Sequence, residues 1–171
     1  MIGENMRKYL YWVFPFIWMT VIFWFSAQPY EKQNIQPYLT EAIDLDFLKP
    51  FTNWISFTYN QSEVSVETLG VYGFVEFFVR KGAHVFVFFI LCCLFYIALR
   101  KTTKMTFNYL LMISFGLTFL YAGFDEFHQG YTENRTSYIG DVFLDGFGGG
   151  LAVLFLVAIY ILKNRRGSVQ H

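Results

Sequence analysis

Four long apolar stretches punctuate the 171-residue chain, at 9–27, 82–99, 107–124 and 142–162. The first and third carry no charge, the second only His84, and the fourth only Asp145. Each approaches the ~20 residues with which a helix crosses a hydrocarbon core of roughly 30 Å. One such run fits a buried helix of a soluble protein. Four in so short a chain leave too little polar surface to cover them, and a helix satisfies its own backbone in lipid. The pattern predicts an all-α integral membrane protein with four transmembrane helices, forming a single domain over 1–171. The first run reads as retained rather than as a cleaved signal peptide. Its apolar core is too long, and bulky Phe25 sits where cleavage prefers a small residue. Pro15 within it is a candidate kink.

The outer segment 28–80 has a different texture. Ile35, Leu39, Ile43 and Phe47 recur every four residues up to Pro50, which makes an apolar helical stripe. Trp54, Phe57 and Tyr59 suit a membrane–water boundary. From Val64 a helical pattern runs into the second span, with Ser62 or Ser65 as its N-cap. Short interfacial helices lying on the membrane are the expectation here, and no strand-and-turn pattern is read. Cys92 and Cys93, adjacent in the second span, read as small packing residues without a disulfide framework. Gly146, Gly148, Gly149 and Gly150 read as a close helix–helix contact; no Lys-Ser/Thr follows, as a phosphate loop requires.

Composition sharpens this picture. At 55% hydrophobic, 22% aromatic and 15% charged, the chain cannot be disordered. Thirteen Lys and Arg cancel thirteen Asp and Glu, so no basic excess points to nucleic acid as a partner. The zero is a cancellation of two opposite ends. Arg7 and Lys8, then Arg100, Lys101 and Lys104, then Lys163, Arg165 and Arg166 all fall on one side of a four-span topology. The positive-inside rule places that side, and both termini, in the cytoplasm.

Ionisable groups at membrane depth are costly and mark function or tight pairing. Here they gather at the outer end of every span. Arg80, Lys81 and His84 begin the second, with Arg80 and His84 on one helical face. Tyr121, Asp125 and Gln129 form a stripe ending the third, beside Glu126 and His128. Asp141 and Asp145 share a face at the start of the fourth, and Ser26 and Gln28 end the first. The short connection before Asp141 adds Arg135 and Ser137, and Ser137 or Asp141 can cap the fourth helix. Arg80, Lys81 and Arg135 stand against Asp125, Glu126, Asp141 and Asp145, a near balance that favours ion pairing. His128 is expected to point into the outer water.

The pieces FSAQP (25–29), RKGAH (80–84), DEFHQ (125–129) and NRTSYIGD (134–141), with the Asp141–Asp145–Gly148 spacing, resemble the VanZ-like family of bacterial membrane proteins. The resemblance implies a core of about four helices, a multi-pass protein of the bacterial cell membrane, an outward polar cluster and an association with teicoplanin resistance. The chain departs from the family where Phe86, Val87 and Phe88 replace its usual aromatic, acidic and Tyr residues.

Three chemistries suit such a cluster. In a structural one, ion pairs lock helix ends. In a binding one, Arg80, Lys81, Gln129, Arg135 and Asp145 hold a membrane lipid or lipid-linked envelope precursor, Arg offering a planar fork to an anion. In a catalytic one, His84, Asp125, Glu126 and Asp141 supply acid and base for a hydrolase or transferase acting on a lipid headgroup. No HExxH, lipase elbow or cofactor motif accompanies them. A divalent cation on Asp125, Glu126 and His84 is the weaker variant, and no metal is expected. The arrangement is compatible with a homo-oligomer.

Overall fold

The computed structural model describes residues 7–132 and 137–168. Helix α1 (Arg7–Ser26) leads into a peripheral segment made of α2 (Tyr30–Gln33), α3 (Gln36–Ala42) and α4 (Lys49–Thr52). A hairpin of β1 (Ser56–Tyr59) and β2 (Ser62–Ser65) follows, then the long helices α5 (Val66–Thr102), α6 (Phe107–Gln129) and α7 (Ile139–Ser168). Among the described residues α1, α5, α6 and α7 are long and apolar enough to cross a membrane. Large apolar side chains such as Phe14, Ile17, Leu120, Phe143 and Leu154 stand exposed on their outer faces. Outside a bilayer so much exposed apolar surface would drive aggregation. The all-α membrane architecture read from the sequence is the one observed.

One local expectation changes and another is met. The peripheral segment is not purely helical, because 56–65 forms an antiparallel hairpin pairing Ser56 with Ser65 and Tyr59 with Ser62. Its two-residue turn puts both Asn60 (φ 47°) and Gln61 (φ 63°) in the left-handed region. That is the geometry of a hairpin turn matching strand twist, and Asn is one of the few non-glycine residues that tolerates it. The helical pattern read from Val64 into the second span is observed: α5 starts at Val66, capped by Ser65 Oγ, which accepts from the Thr68 amide at 3.2 Å. Gly70 (φ 69°, ψ 168°) interrupts the helix after its first turn, in a backbone region essentially closed to other residues. Beyond that break the continuous helix 71–102 runs about 48 Å, well beyond a bilayer core.

Pro15 lacks the N–H that would bond the Tyr11 carbonyl, and the turn before it tightens to a 3₁₀ turn at Leu10–Trp12. Helix α5 is the hub. Phe88, Leu91 and Phe95 pack on Ile22, Tyr121, Ala122 and Val142, while Tyr96 and Leu99 meet Leu110 and Leu111 at the opposite end. Cys92 and Cys93 are free thiols, the first fully buried. The glycines of α7 do bring backbones together: a Cβ on Gly148 would overlap the Val85 carbonyl oxygen. Gly148 therefore sets the α5–α7 spacing one helical turn from the polar residues.

Candidate functional site

Along α5, Glu76, Arg80, Lys81 and His84 occupy successive turns near the hairpin. Arg80 Nη2 pairs with Glu76 Oε1 at 2.5 Å, and Gln36 Nε2 from α3 donates to the other oxygen, Oε2, at 2.6 Å. One residue on, Lys81 turns the other way. Its Nζ meets Asp141 Oδ1 of α7 at 2.5 Å and lies 4.4 Å above the Tyr59 ring. The Tyr59 hydroxyl donates to the same Asp141 oxygen at 2.5 Å. Burial and the Asp141 carboxylate push this phenol well above its ordinary range, so it stays a donor. The hairpin is what brings Tyr59 here. Phe57 and Tyr59 pack on Phe77, which seats the Tyr59 ring on the Lys81–Asp141 pair.

A turn deeper, His84 Nδ1 faces Asp145 Oδ1 of α7 at 3.2 Å. From α6, Asp125 Oδ2 accepts from Gln129 Nε2 at 2.9 Å, and Glu126 Oε1 accepts from the Tyr138 amide ahead of α7. Glu76, Asp125, Glu126 and Asp145 are all buried, at 1–3% exposure. Buried carboxylates need full hydrogen bonding. Among the described residues Glu126 Oε2 and Asp145 Oδ2 nevertheless lack a partner, while the Ser26 hydroxyl lies beside the Asp125 carboxylate and can donate to it.

A cavity of about 510 Å³ opens beside this cluster, between α1, the α2–α3 segment, α5 and α6. Its volume falls within the range of small-molecule sites. Trp18, Val21, Ile22, Val79 and Val87 supply apolar wall, and Trp18 Nε1 donates to the Val87 carbonyl at 2.9 Å. The ionisable residues Lys32, Glu76, Arg80, His84 and Asp125, with Ser26, Gln28 and Gln33, supply the polar end. Asp145 stands behind His84, outside the lining. The space has the two-part character of an amphiphile.

The structure brings together Arg80, Lys81, His84, Asp125, Glu126, Gln129, Asp141 and Asp145, all singled out in the sequence. They divide into two groups. Arg80, His84 and Asp125 face the cavity, whereas Lys81 and Asp141 form a closed pair on the hairpin side. Arg135 lies outside the described residues. Asp125, Glu126 and His84 do not converge as cation ligands, since each turns to a different partner. His128 is half-buried rather than turned wholly to water, and its ring packs on Phe23 with centroids 4.1 Å apart. Sequence reasoning missed Glu76, Tyr59, Gln36 and Lys32. Glu76 was discoverable, since it lies four residues before Arg80 within the helical pattern read from Val64.

Fold and site together define a multi-pass membrane protein with an amphiphilic cavity ending in a buried polar cluster. The profile of the VanZ/LLP1 family matches residues 11–162, nearly the whole chain, and the protein belongs to that family. It is a VanZ-like membrane protein, of a family associated with glycopeptide resistance. No curated protein and no solved structure matches the chain.

Proposed function

We propose that this protein recognises an anionic, phosphate-bearing envelope lipid or lipid-linked cell-wall component at the outer membrane–water interface. The observation carrying this reading is the cavity itself, whose walls are apolar and whose polar end offers Lys32 and the Glu76-paired Arg80 to a phosphate. An acyl or prenyl chain suits the walls, and a phosphate suits the cations. The orientation rests on charge. Arg7, Lys8, Arg100, Lys101, Lys104, Lys163 and Arg165 occupy the end away from the cluster, which by the positive-inside rule is cytoplasmic. The cavity then faces outward, where a teicoplanin target is exposed, and resistance follows from a change in that lipid's presentation.

The test is lipid capture by purified full-length protein in micelles containing phosphatidylglycerol or diacylglycerol of the same chains. Preferential retention of phosphatidylglycerol, lost in a Lys32→Gln, Arg80→Gln double variant, is expected. Equal retention of both lipids would sink the reading.

A second reading is favoured by one contact. Asp145 holds His84 through Nδ1, in the manner of a carboxylate that fixes an imidazole tautomer, with the ring lining the cavity. A hydrolase or transferase acting on a lipid headgroup would use His84 as general base. Turnover of a labelled lipid, abolished by His84→Gln, is its signature. A lipid recovered unchanged leaves recognition as the whole activity.

A further inference from the structure

A second cavity, of about 520 Å³, opens at the opposite end of the bundle, where α5, α6 and α7 meet. It shares no lining residue with the outer cavity, so what it binds is independent of the proposed function. Its back wall is fixed by packing. Tyr96 and Leu110 are buried, the Phe107 and Tyr160 rings stack with centroids 4.1 Å apart, and Tyr96 meets Phe107 edge-on at 6.1 Å. Leu156 and Ile159 of α7 extend the apolar lining. Two cations line the same space, Arg100 of α5 and Lys163 of α7. Arg100 lies one turn beyond Tyr96 and Lys163 one turn beyond Ile159, so each cation shares a face with the apolar lining and stands nearer the helix end. The cavity thus runs from apolar depth to a positive mouth.

Among the described residues neither cation has a carboxylate partner. The sequence offers none along this end of the three helices, since no Asp or Glu occurs between Glu76 and Asp125 or after Asp145. Two like charges lining one cavity repel, and an anion between them relieves that repulsion. Helix α1 packs on another side of α5, where Trp12 Nε1 donates to Thr102 Oγ1 at 3.2 Å and Lys101 Nζ lies 5.5 Å from the centre of the Tyr11 ring. Lys101, although adjacent to Arg100, therefore turns away from the cavity.

We propose that this cavity holds an anionic phospholipid of the adjoining leaflet, its phosphate between Arg100 and Lys163 and one acyl chain along Tyr96, Leu110 and Leu156. Arg gives the phosphate a planar fork, and Lys a point charge. Basic pockets between transmembrane helices favour such headgroups. A free phosphate ion would leave the apolar wall bare, whereas a lipid covers it.

The test is photo-crosslinking of the full-length protein in phosphatidylcholine nanodiscs, followed by peptide mapping. The discs carry a trace of phosphatidylglycerol or phosphatidylcholine with the same diazirine-bearing chain. With both cations engaged, phosphatidylglycerol should label 96–107 and 156–163 roughly thirtyfold more than phosphatidylcholine does. Arg100→Gln or Lys163→Gln should each lower that ratio to about fivefold. The double variant should bring it to the ratio found at exposed Met112 and Leu120. Both cations are exposed, so these substitutions do not threaten the fold. Lys101→Gln is the control and should leave the ratio unchanged; a loss equal to that of Arg100→Gln means a diffuse basic face and overturns the site. Equal labelling by the two lipids overturns it as well, as does a preference that survives the double variant. A preference abolished by inorganic phosphate, but not by chloride of equal ionic strength, assigns the cations to a free ion and overturns the lipid. Labelling around Val21 and Val87 reports on the outer cavity separately, so either reading can fail alone.

Discussion

The Lys81–Asp141 pair offers a direct test of what joins α5 to α7 at the polar end. Its atoms stand 2.5 Å apart, and the side chains are only 18% and 16% exposed. At an effective dielectric near 20, opposite unit charges ~4 Å apart attract by about 4 kcal/mol. Lys81→Met keeps the apolar stem but leaves Asp141, among the described side chains, with the Tyr59 hydroxyl as its partner. Asp141→Asn leaves a buried ammonium short of its counter-charge. Each single substitution should cost about 3 kcal/mol, as expected for stranding one partner of a desolvated pair. The double variant removes both charges. It should cost only about 2 kcal/mol, largely the cation over the Tyr59 ring and a weakened hydrogen bond. The coupling is then about 4 kcal/mol, matching the Coulomb figure. Equilibrium unfolding in mixed micelles of increasing sodium dodecyl sulfate measures all four proteins. If the double variant loses the sum of the single losses, the pair contributes nothing as a pair and the reasoning fails.

Gly148→Ala should destabilise by ~2 kcal/mol or more, because its Cβ meets the Val85 carbonyl, whereas Gly150→Ala, with open space around it, should be neutral or slightly stabilising in the same unfolding assay. Gly70→Ala should cost roughly 1–3 kcal/mol from backbone strain alone, since nothing crowds the position, and wild-type stability in that variant would contradict the left-handed break. In a Cys92→Ala, Cys93→Ala background, Gln61→Cys should react with an impermeant maleimide on intact cells and Lys104→Cys only after permeabilisation; the reverse pattern would invert the topology.

The four spans were legible because uncharged runs near 20 residues have few other fates. The polar cluster was legible too, since Asp125, Asp141 and Asp145 interrupt otherwise apolar helices at one level. So was the start of α5, where a helical pattern from Val64 and a serine cap are both observed. Glu76 within it was passed over, although it pairs with Arg80 one turn on. The hairpin escaped notice because Asn60-Gln61 lacks the glycine that ordinarily announces a tight turn. Lys32 and Gln36 reach the site only through the path of the chain between α1 and the hairpin, which no local pattern encodes.

The near contact of Gly148 with the Val85 carbonyl also constrains how anything reaches the cavity. Two helices whose main chains touch cannot part or slide without losing that fit, so α5 and α7 behave as one rigid blade. The opposite wall is lighter, held by the Trp18 bond to Val87 and by Gln36 reaching across to Glu76. A molecule too large to slip in from water would therefore come sideways out of the bilayer, past α1, with the α2–α3 strap as the part that yields.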